Sequence, residues 1–320
     1  MRRLLTVASI SLASLAVLVS PAKAEYPDRP VKMMIGFAPG GGADLLARWY
    51  ATKLQEVSKG TFIVENKPGA SGNLAADAVA KAKPDGYTIL FASSVSAGNP
   101  YVYKDLPFDV NKDLFPITSY AETPFVLVVG GQSPVNTVAE LTESLKAKPG
   151  KGKYGWATTV TLSTAVIYAS TAGLDVTPVG YKITANAISD VTGGLLDFGF
   201  ADIIFSSGQA KQNRVKILGV TSATRAAGLP DIPSLVDLGY GTGDITPVWG
   251  VWGPAGVPKE VVDKLTKWVN EITAMPATRE FLVSQGATPM PGAPDAYKKK
   301  IEESAKSWAK VTSIAKIEPQ

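Results

Sequence analysis

Two periods of apolar and polar positions alternate along this chain. Short apolar runs at residues 31–37, 61–65, 87–92, 125–129, 153–157, 175–179, 198–203 and 215–221 predict strands, with 247–253 as a further candidate. Between them apolar residues recur every three or four positions, as at Leu46, Tyr50, Leu54 and Val57, which predicts helices packed by one face. Thr137 stands three residues before Glu140, a capping-box spacing, and Pro258-Lys259-Glu260 places a proline in a first helical turn. Gly173 and Gly286 fall where helices should end. Strand–helix alternation over the whole length predicts an α/β protein of mainly parallel sheets covered on both faces. The stretch 148–153, Lys-Pro-Gly-Lys-Gly-Lys, reads either as a domain boundary or as an exposed loop.

The first 24 residues break this pattern. Arg2-Arg3 precede an apolar stretch from Leu4 to Val19, and Pro21-Ala22-Lys23-Ala24 follows with small residues suited to cleavage after Ala24. A basic start, an apolar middle and a small-residue end make a signal peptide, too short and polar for a comfortable membrane span. Its removal would leave about 300 residues, the size at which one core splits into two. Removing Arg2, Arg3 and Lys23 would also reduce the formal charge of +4 to about +1, so no nucleic-acid footprint is visible. The chain has neither histidine nor cysteine. That excludes disulfides, a lipoprotein anchor, Ser-His-Asp or Cys-His catalysis and metal sites built on nitrogen or sulfur; no cofactor is expected.

The remaining chemistry gathers where predicted strands run into helices. The apolar run 31–37 ends in Phe37-Ala38-Pro39-Gly40-Gly41-Gly42-Ala43-Asp44, where a helical pattern begins. Such a turn aims backbone N–H groups and the positive end of a helix dipole at one spot, and glycine lets an anion approach the main chain. The loop lacks the lysine and hydroxyl of nucleoside-triphosphate loops, and Gly40-x-Gly42-x-x-Leu45 lacks the third small residue of a dinucleotide fingerprint. A small carboxylate suits it better, and a bulky residue at Gly41 should block its approach. In a parallel sheet the loops after the strands share one edge, where ligands settle. Ala70, Ser71 and Asn73 lie in a second such loop and Ser93-Ser94 in a third; Ser71 and Asn73 read either as ligand donors or as helix caps, and Asn73 taken alone suits a cap better. Trp156, Thr158 and Thr159 follow a later strand: the threonines suit carboxylate oxygens and the indole suits an apolar ligand body. Tyr181 and Asp202 end strand patterns, and Asp202 is either a ligand acceptor or a cap. Trp249 and Trp252 read as core.

These landmarks together resemble a known family. They are Tyr26-Pro27-x-Arg29-Pro30, Phe37-x-Pro39-Gly40-Gly41-Gly42-x-Asp44, Val64-Glu65-Asn66-Lys67-Pro68-Gly69-Ala70-x-Gly72-Asn73 and Pro84-Asp85-Gly86-Tyr87-Thr88, followed by Val220-Thr221-Ser222, Leu229-Pro230-Asp231-Ile232-Pro233 and Gly253-Pro254-Ala255-Gly256-Val257-Pro258. The set is similar to the Bug family, the extracytoplasmic solute receptors of tripartite tricarboxylate transporters. The resemblance implies a type II periplasmic-binding-protein fold: two α/β lobes, crossover strands and a ligand cleft between them. Lobe one would hold residues 25–124 and 246–320, lobe two 125–245. It implies a monomeric periplasmic receptor, not an enzyme, that takes an organic carboxylate and delivers it to membrane permease subunits. The loops at 39–44 and 70–73 would grip one carboxylate. Relatives usually read Tyr-Gly-Ser-Ser-Gly-x-Gly-Ser where this chain has Tyr154-Gly155-Trp156-Ala157-Thr158-Thr159-Val160-Thr161, and Gly180-Tyr181-Lys182-Ile183 replaces Pro-Tyr-Lys-Gly. The acidic-Asn pair of relatives becomes Ala201-Asp202. The expected ligand is therefore a di- or aromatic carboxylate with an apolar body beyond its first carboxylate. Two alternatives are a receptor that presents its ligand to a sensor kinase, and an exported enzyme using Asp44 or Asp202 as a general base.

Overall fold

Short apolar strands assemble into two sheets. In the computed structural model, which describes residues 25–101, 103–241 and 246–315, the expected export segment lies outside the described residues. The first sheet has six strands, β1 (Val31–Ile35), β2 (Phe62–Asn66), β3 (Thr88–Ser93), β4 (Leu114–Glu122), β10 (Val248–Pro254) and β11 (Thr288–Pro289), in the order β11-β4-β10-β3-β1-β2. The second has five, β5 (Phe125–Gly130), β6 (Gly152–Trp156), β7 (Val176–Gly180), β8 (Phe198–Asp202) and β9 (Val215–Val220), in the order β7-β6-β8-β5-β9. Every strand expected from the apolar runs is present. β4 and β11 were not expected. β4 carries Pro116, which argues against a strand paired on both sides, but Pro116 sits at a register shift against β10, where the ladder is already interrupted.

Pairing sense differs from the expectation of mainly parallel sheets. β1 runs parallel to β2 and β3, and β6 parallel to β7 and β8. β10 is antiparallel to β3 and β4, and β5 antiparallel to β8 and β9, so both sheets are mixed. The reason is connectivity: β5 and β10 are the strands by which the chain crosses between sheets, and each enters its new sheet against the prevailing direction.

Helices cover both faces. α1 (Gly42–Ser58) buries Leu46, Tyr50 and Leu54 on one face of the first sheet beside α8 (Lys259–Ala274), while α2 (Asn73–Ala80) and α10 (Pro294–Ala315) pack on the other. On the second sheet α4 (Val138–Lys146) and α5 (Thr159–Thr171) face α6 (Thr184–Thr192) and α7 (Ile203–Lys211). The Thr137 side chain caps α4 by accepting from Glu140 N at 3.1 Å, but the Glu140 carboxylate turns back to Asn136 N rather than to Thr137. Pro258 is the N-cap of α8, one residue before the expected first-turn position. Gly173 and Gly286 take left-handed φ values of 66° and 78° just past α5 and the helix Pro276–Ser284. The 148–153 stretch joins α4 to β6 within one sheet, and is thus a loop. Trp249 and Trp252 are buried as expected.

The two crossing segments are tied together. Thr123 N donates to Pro247 O at 2.9 Å, Trp249 Nε1 to Thr123 Oγ1 at 2.6 Å, and Phe125 and Thr221 exchange two hydrogen bonds. α10 adds a strut: Trp308 is buried against Val160 and Ile167 of α5, with Phe125 beside them.

Candidate functional site

The end of β1 shows how the first lobe builds its loop. Gly41 is the N-cap of α1 in an extended conformation, with no side chain capping the helix. A 17-residue helix thus begins with its first-turn amides uncapped by any side chain, and its positive dipole end adds to them. One amide of this glycine turn is not free. Gly40 N donates to Asp44 Oδ2 at 3.0 Å, and the same oxygen takes Arg48 Nε at 2.9 Å. Asn66 Nδ2 bridges Asp44 Oδ1 at 2.9 Å and Phe37 O at 3.0 Å. Asp44 is therefore a brace that holds the glycine turn, with its carboxylate already taken by three donors. Phe37 lies edge-on to Trp249 at 6.0 Å, and Pro39 and Gly40 are exposed.

Burial pulls the Asp44 carboxyl upward, but the hydrogen bonds from Arg48, Gly40 and Asn66 outweigh it and hold the group below its ordinary value of 3.8. A carboxyl depressed on folding contributes stability in full above its unfolded value and loses it as pH falls through the folded one. Asp44→Asn should therefore flatten the acid limb of the stability–pH curve. Urea midpoints measured between pH 7 and pH 3 will show the wild type losing more stability than the variant. Equal losses would remove Asp44 from this role.

The second loop carries strain. Gly69, Ala70, Ser71 and Gly72 all have positive φ, at 137°, 46°, 52° and 91°, a run that non-glycine residues rarely tolerate. The turn is pressed on β1: a Cβ at Gly36 would stand 2.3 Å from Gly72 Cα. Ser71 Oγ lies 2.9 Å from Tyr103 OH and 3.4 Å from Thr159 Oγ1 of the other lobe. Ala70 is exposed. Asn73 is buried, accepts from Asn99 Nδ2 at 2.6 Å, and leaves its own Nδ2 without a partner among the described residues.

In the second lobe Thr158 is the N-cap of α5. Its hydroxyl accepts from Thr161 N, while Thr161 Oγ1 accepts from Ala157 N at 3.1 Å and Thr158 N at 3.0 Å. Thr158 is thus spent on the cap, and Thr159 is the hydroxyl that meets the first lobe. Trp156 packs on the second core, its ring 3.1 Å from where a Cβ of Gly180 would stand, rather than forming an open platform. Tyr181 OH donates to Asp190 Oδ2 at 2.5 Å, and that bond to a carboxylate pushes the phenol up to about 12. Asp202 caps α7, accepting from Phe205 N at 2.8 Å, and burial raises its carboxyl above its ordinary value. It also reaches the other lobe: a Cβ on Gly42 would lie 2.2 Å from Asp202 Oδ1 and 3.0 Å from Ile204 Cβ.

The structure thus brings Gly42 to Asp202, and Ser71 to Thr159, across the lobes. Ser93 and Ser94 are set apart at the crossing strands. Ser93 is buried opposite Trp249, and Ser94 Oγ accepts from Val248 N at 3.1 Å, a tie to the crossing strand β10. Ser94 also lines a groove of about 520 Å³ that includes Glu122, Thr224, Thr288 and Lys300, and no other expected site residue lines it. Sequence reasoning missed Arg48, Asn66 and Tyr103 as site supports, and Thr161. The Thr158-x-x-Thr161 spacing of a cap was readable; the others depend on contacts distant in sequence. Among the described residues no group of three His, Cys, Asp or Glu is placed to hold a metal ion, and no helix is long and apolar enough to cross a membrane.

Comparison with known proteins agrees with this architecture. Residues 46–317 match the family model described as tripartite tricarboxylate transporter family receptor. A UPF0065 protein of Bordetella bronchiseptica is 32% identical over 95% of this chain and 91% of its own length. The protein BugT of Bordetella pertussis is 29% identical over 97% of each. Among solved structures, an R. palustris protein with adipate superposes with a TM-score of 0.88 at 28% identity, covering 92% of this chain and all of that one. The periplasmic binding protein BugD gives a TM-score of 0.85 at 31% identity, with 92% of this chain and 100% of that chain covered. Two sheets joined by crossover strands, with the glycine turns of one lobe meeting the Thr158 and Asp202 loops of the other, fit the periplasmic-binding-protein architecture, and the chain belongs to the Bug family of tripartite tricarboxylate transporter solute receptors.

Proposed function

We propose that this receptor is exported to the periplasm after cleavage near Ala24, clasps an organic carboxylate between its lobes, and delivers it to membrane permease subunits of a tripartite transporter. The observation that carries the reading is the start of α1, uncapped by any side chain, beside the strained 69–72 turn, both meeting the second lobe. The adipate in the R. palustris neighbour supports a carboxylate as ligand. Residues 25–124 and 246–320 form lobe one in this reading and 125–245 lobe two, in keeping with the strand membership of the sheets. Gly41, Gly42, Ala70, Ser71 and Asn73 hold the carboxylate; Phe37, Trp156, Thr159 and Asp202 border its remainder. Charge-assisted hydrogen bonds contribute about 1.5–3 kcal/mol each, so two or three with some apolar burial support micromolar binding. Closure of the lobes then makes the form that docks on the permease.

A thermal-shift screen of aliphatic, hydroxy and aromatic acids tests this. Ligand that binds only the native state stabilises it by about 2.7 kcal/mol at a hundred times Kd. Carboxylates should raise Tm and the matching neutral amides should not. Equal shifts from acids and amides, or none from any acid, would end the reading.

A further inference from the structure

One buried side chain of the C-terminal helix touches segments from both lobes. α10 is fixed to the first lobe by its opening turns: Tyr297 is fully buried, and its hydroxyl donates toward Ala92 O at 3.2 Å and Val248 O at 3.3 Å, with Ile301 in the same core. Trp308 comes three helical turns later, about 16 Å along the axis, in a separate cluster. It is 1% exposed and packs with Val160 and Ile167 of α5 and with Phe125 at the crossing. Its five-membered ring also covers the 3₁₀ segment Ser94–Tyr101 of the first lobe: a Cβ on Gly98 would stand 2.4 Å from Cγ, Cδ1 and Cδ2 of the indole.

The chain neighbours of these contacts are residues of the candidate site. Gly98 precedes Asn99, whose Nδ2 donates to Asn73 Oδ1 at 2.6 Å, just past the 69–72 turn. Val160 follows Thr159, whose hydroxyl lies 3.4 Å from Ser71 Oγ of that turn. The indole thus stands behind the place where the two lobes meet. Close packing leaves little slack there. A smaller side chain opens a cavity into which α5 can shift, and a methyl on Gly98 drives the ring toward α5. Trp308 Nε1 has no hydrogen-bond partner among the described residues, so the ring acts through its volume rather than its N–H.

We infer that Trp308 is a positioning residue for the ligand cleft: anchored through α10 in the first lobe, it sets how closely the start of α5 approaches the 69–72 turn, and so holds a captured acid in place. This rests on the receptor reading above and adds to it a residue outside every ligand loop. Capture begins at the α1 and 69–72 turns, which Trp308 does not form. Its loss therefore leaves association alone and speeds release.

Surface plasmon resonance with adipate and benzoate tests it on the immobilised protein. Trp308→Ala should release either acid about tenfold or more faster, with association within about threefold of wild type. Trp308→Phe keeps a ring without the unpaired N–H and should stay within about threefold in both rates. Gly98→Ala should speed release in the wild type but add nothing in Trp308→Ala, where the methyl enters vacated space. Should Trp308→Ala not fold, Gly98→Ala, a change of one methyl, carries the comparison with wild type. Hydrogen exchange without ligand gives a second readout. The first two turns of α5 should exchange about tenfold faster in Trp308→Ala and recover in Trp308→Phe, while β6 and β8 stay unchanged. Release unchanged in Trp308→Ala, or independent effects of the two substitutions, overturns the inference and leaves the receptor reading standing. If the wild type binds neither acid, exchange decides: α5 equally protected in Trp308→Ala overturns the inference, whereas the wider acid screen decides the receptor reading.

Discussion

Gly42→Leu is expected to lower ligand affinity by about a hundredfold or more, near 2.7 kcal/mol, while the protein stays folded. The three atoms nearest a Cβ at this position belong to the opposite lobe: Asp202 Oδ1 at 2.2 Å, Ile204 Cβ at 3.0 Å and Asp202 Cγ at 3.1 Å. A Cβ there meets nothing nearer from its own lobe outside the helix's own backbone, and Gly42 is ordinary first-turn helix. What a leucine prevents is the approach of the second lobe. The contrast with Gly41 sharpens the test, because a Cβ there meets only Ala38 O, at an ordinary 3.5 Å. The sequence pattern pointed to Gly41 as a glycine that a ligand approaches; the glycine that the other lobe approaches is Gly42. Calorimetry with the acid giving the largest thermal shift should find Gly41→Ala near wild type and Gly42→Leu barely binding. Equal affinities would mean that the lobes do not close over this helix start.

Gly36→Ala is expected to destabilise the protein by about 2–4 kcal/mol and to abolish binding as well. The added methyl would stand 2.3 Å from Gly72 Cα and 2.9 Å from Gly72 O. Both are backbone atoms, so no rotamer change relieves the clash. Gly72 is the last of four residues at positive φ and cannot easily retreat. The end of β1 and the turn carrying Ser71 must therefore separate, which pulls apart the two loops of the proposed carboxylate site. Urea unfolding should show a lower midpoint at an unchanged slope. An unfolding free energy within about 0.5 kcal/mol of wild type would show that the turn yields freely.

Much of the site was readable because its parts are local. A strand running into glycines and then into a helix announces a helix start, whatever the rest of the chain does, and so the loops at 37–44 and 70–73 could be named in advance. Roles were harder than positions. Asp44 looked like a contact or a base, yet it spends its carboxylate on Gly40, Arg48 and Asn66. Ser94 sits at the end of a strand as expected, but the crossing strand β10 claims its hydroxyl. In each case a polar side chain satisfied a nearby backbone or side-chain donor first, as buried polar groups must. Tyr181 went to Asp190 nine residues on, a partner no spacing rule suggests.

The sequence by itself determined where the strands and helices lie, the alternation that makes an α/β protein, the glycine turns that open helices without side-chain caps, and a side-chain inventory without histidine or cysteine. These follow from properties of neighbouring residues: apolar period, turn chemistry and composition. Only the tertiary structure decided that β4 runs past its proline, that the crossing strands pair antiparallel, that Gly40 gives its amide to Asp44, and that Asp202 meets Gly42 across the cleft. Those outcomes depend on which distant segments come to lie side by side, because a hydrogen bond or a clash is settled by proximity in space, and the local pattern carries no record of that.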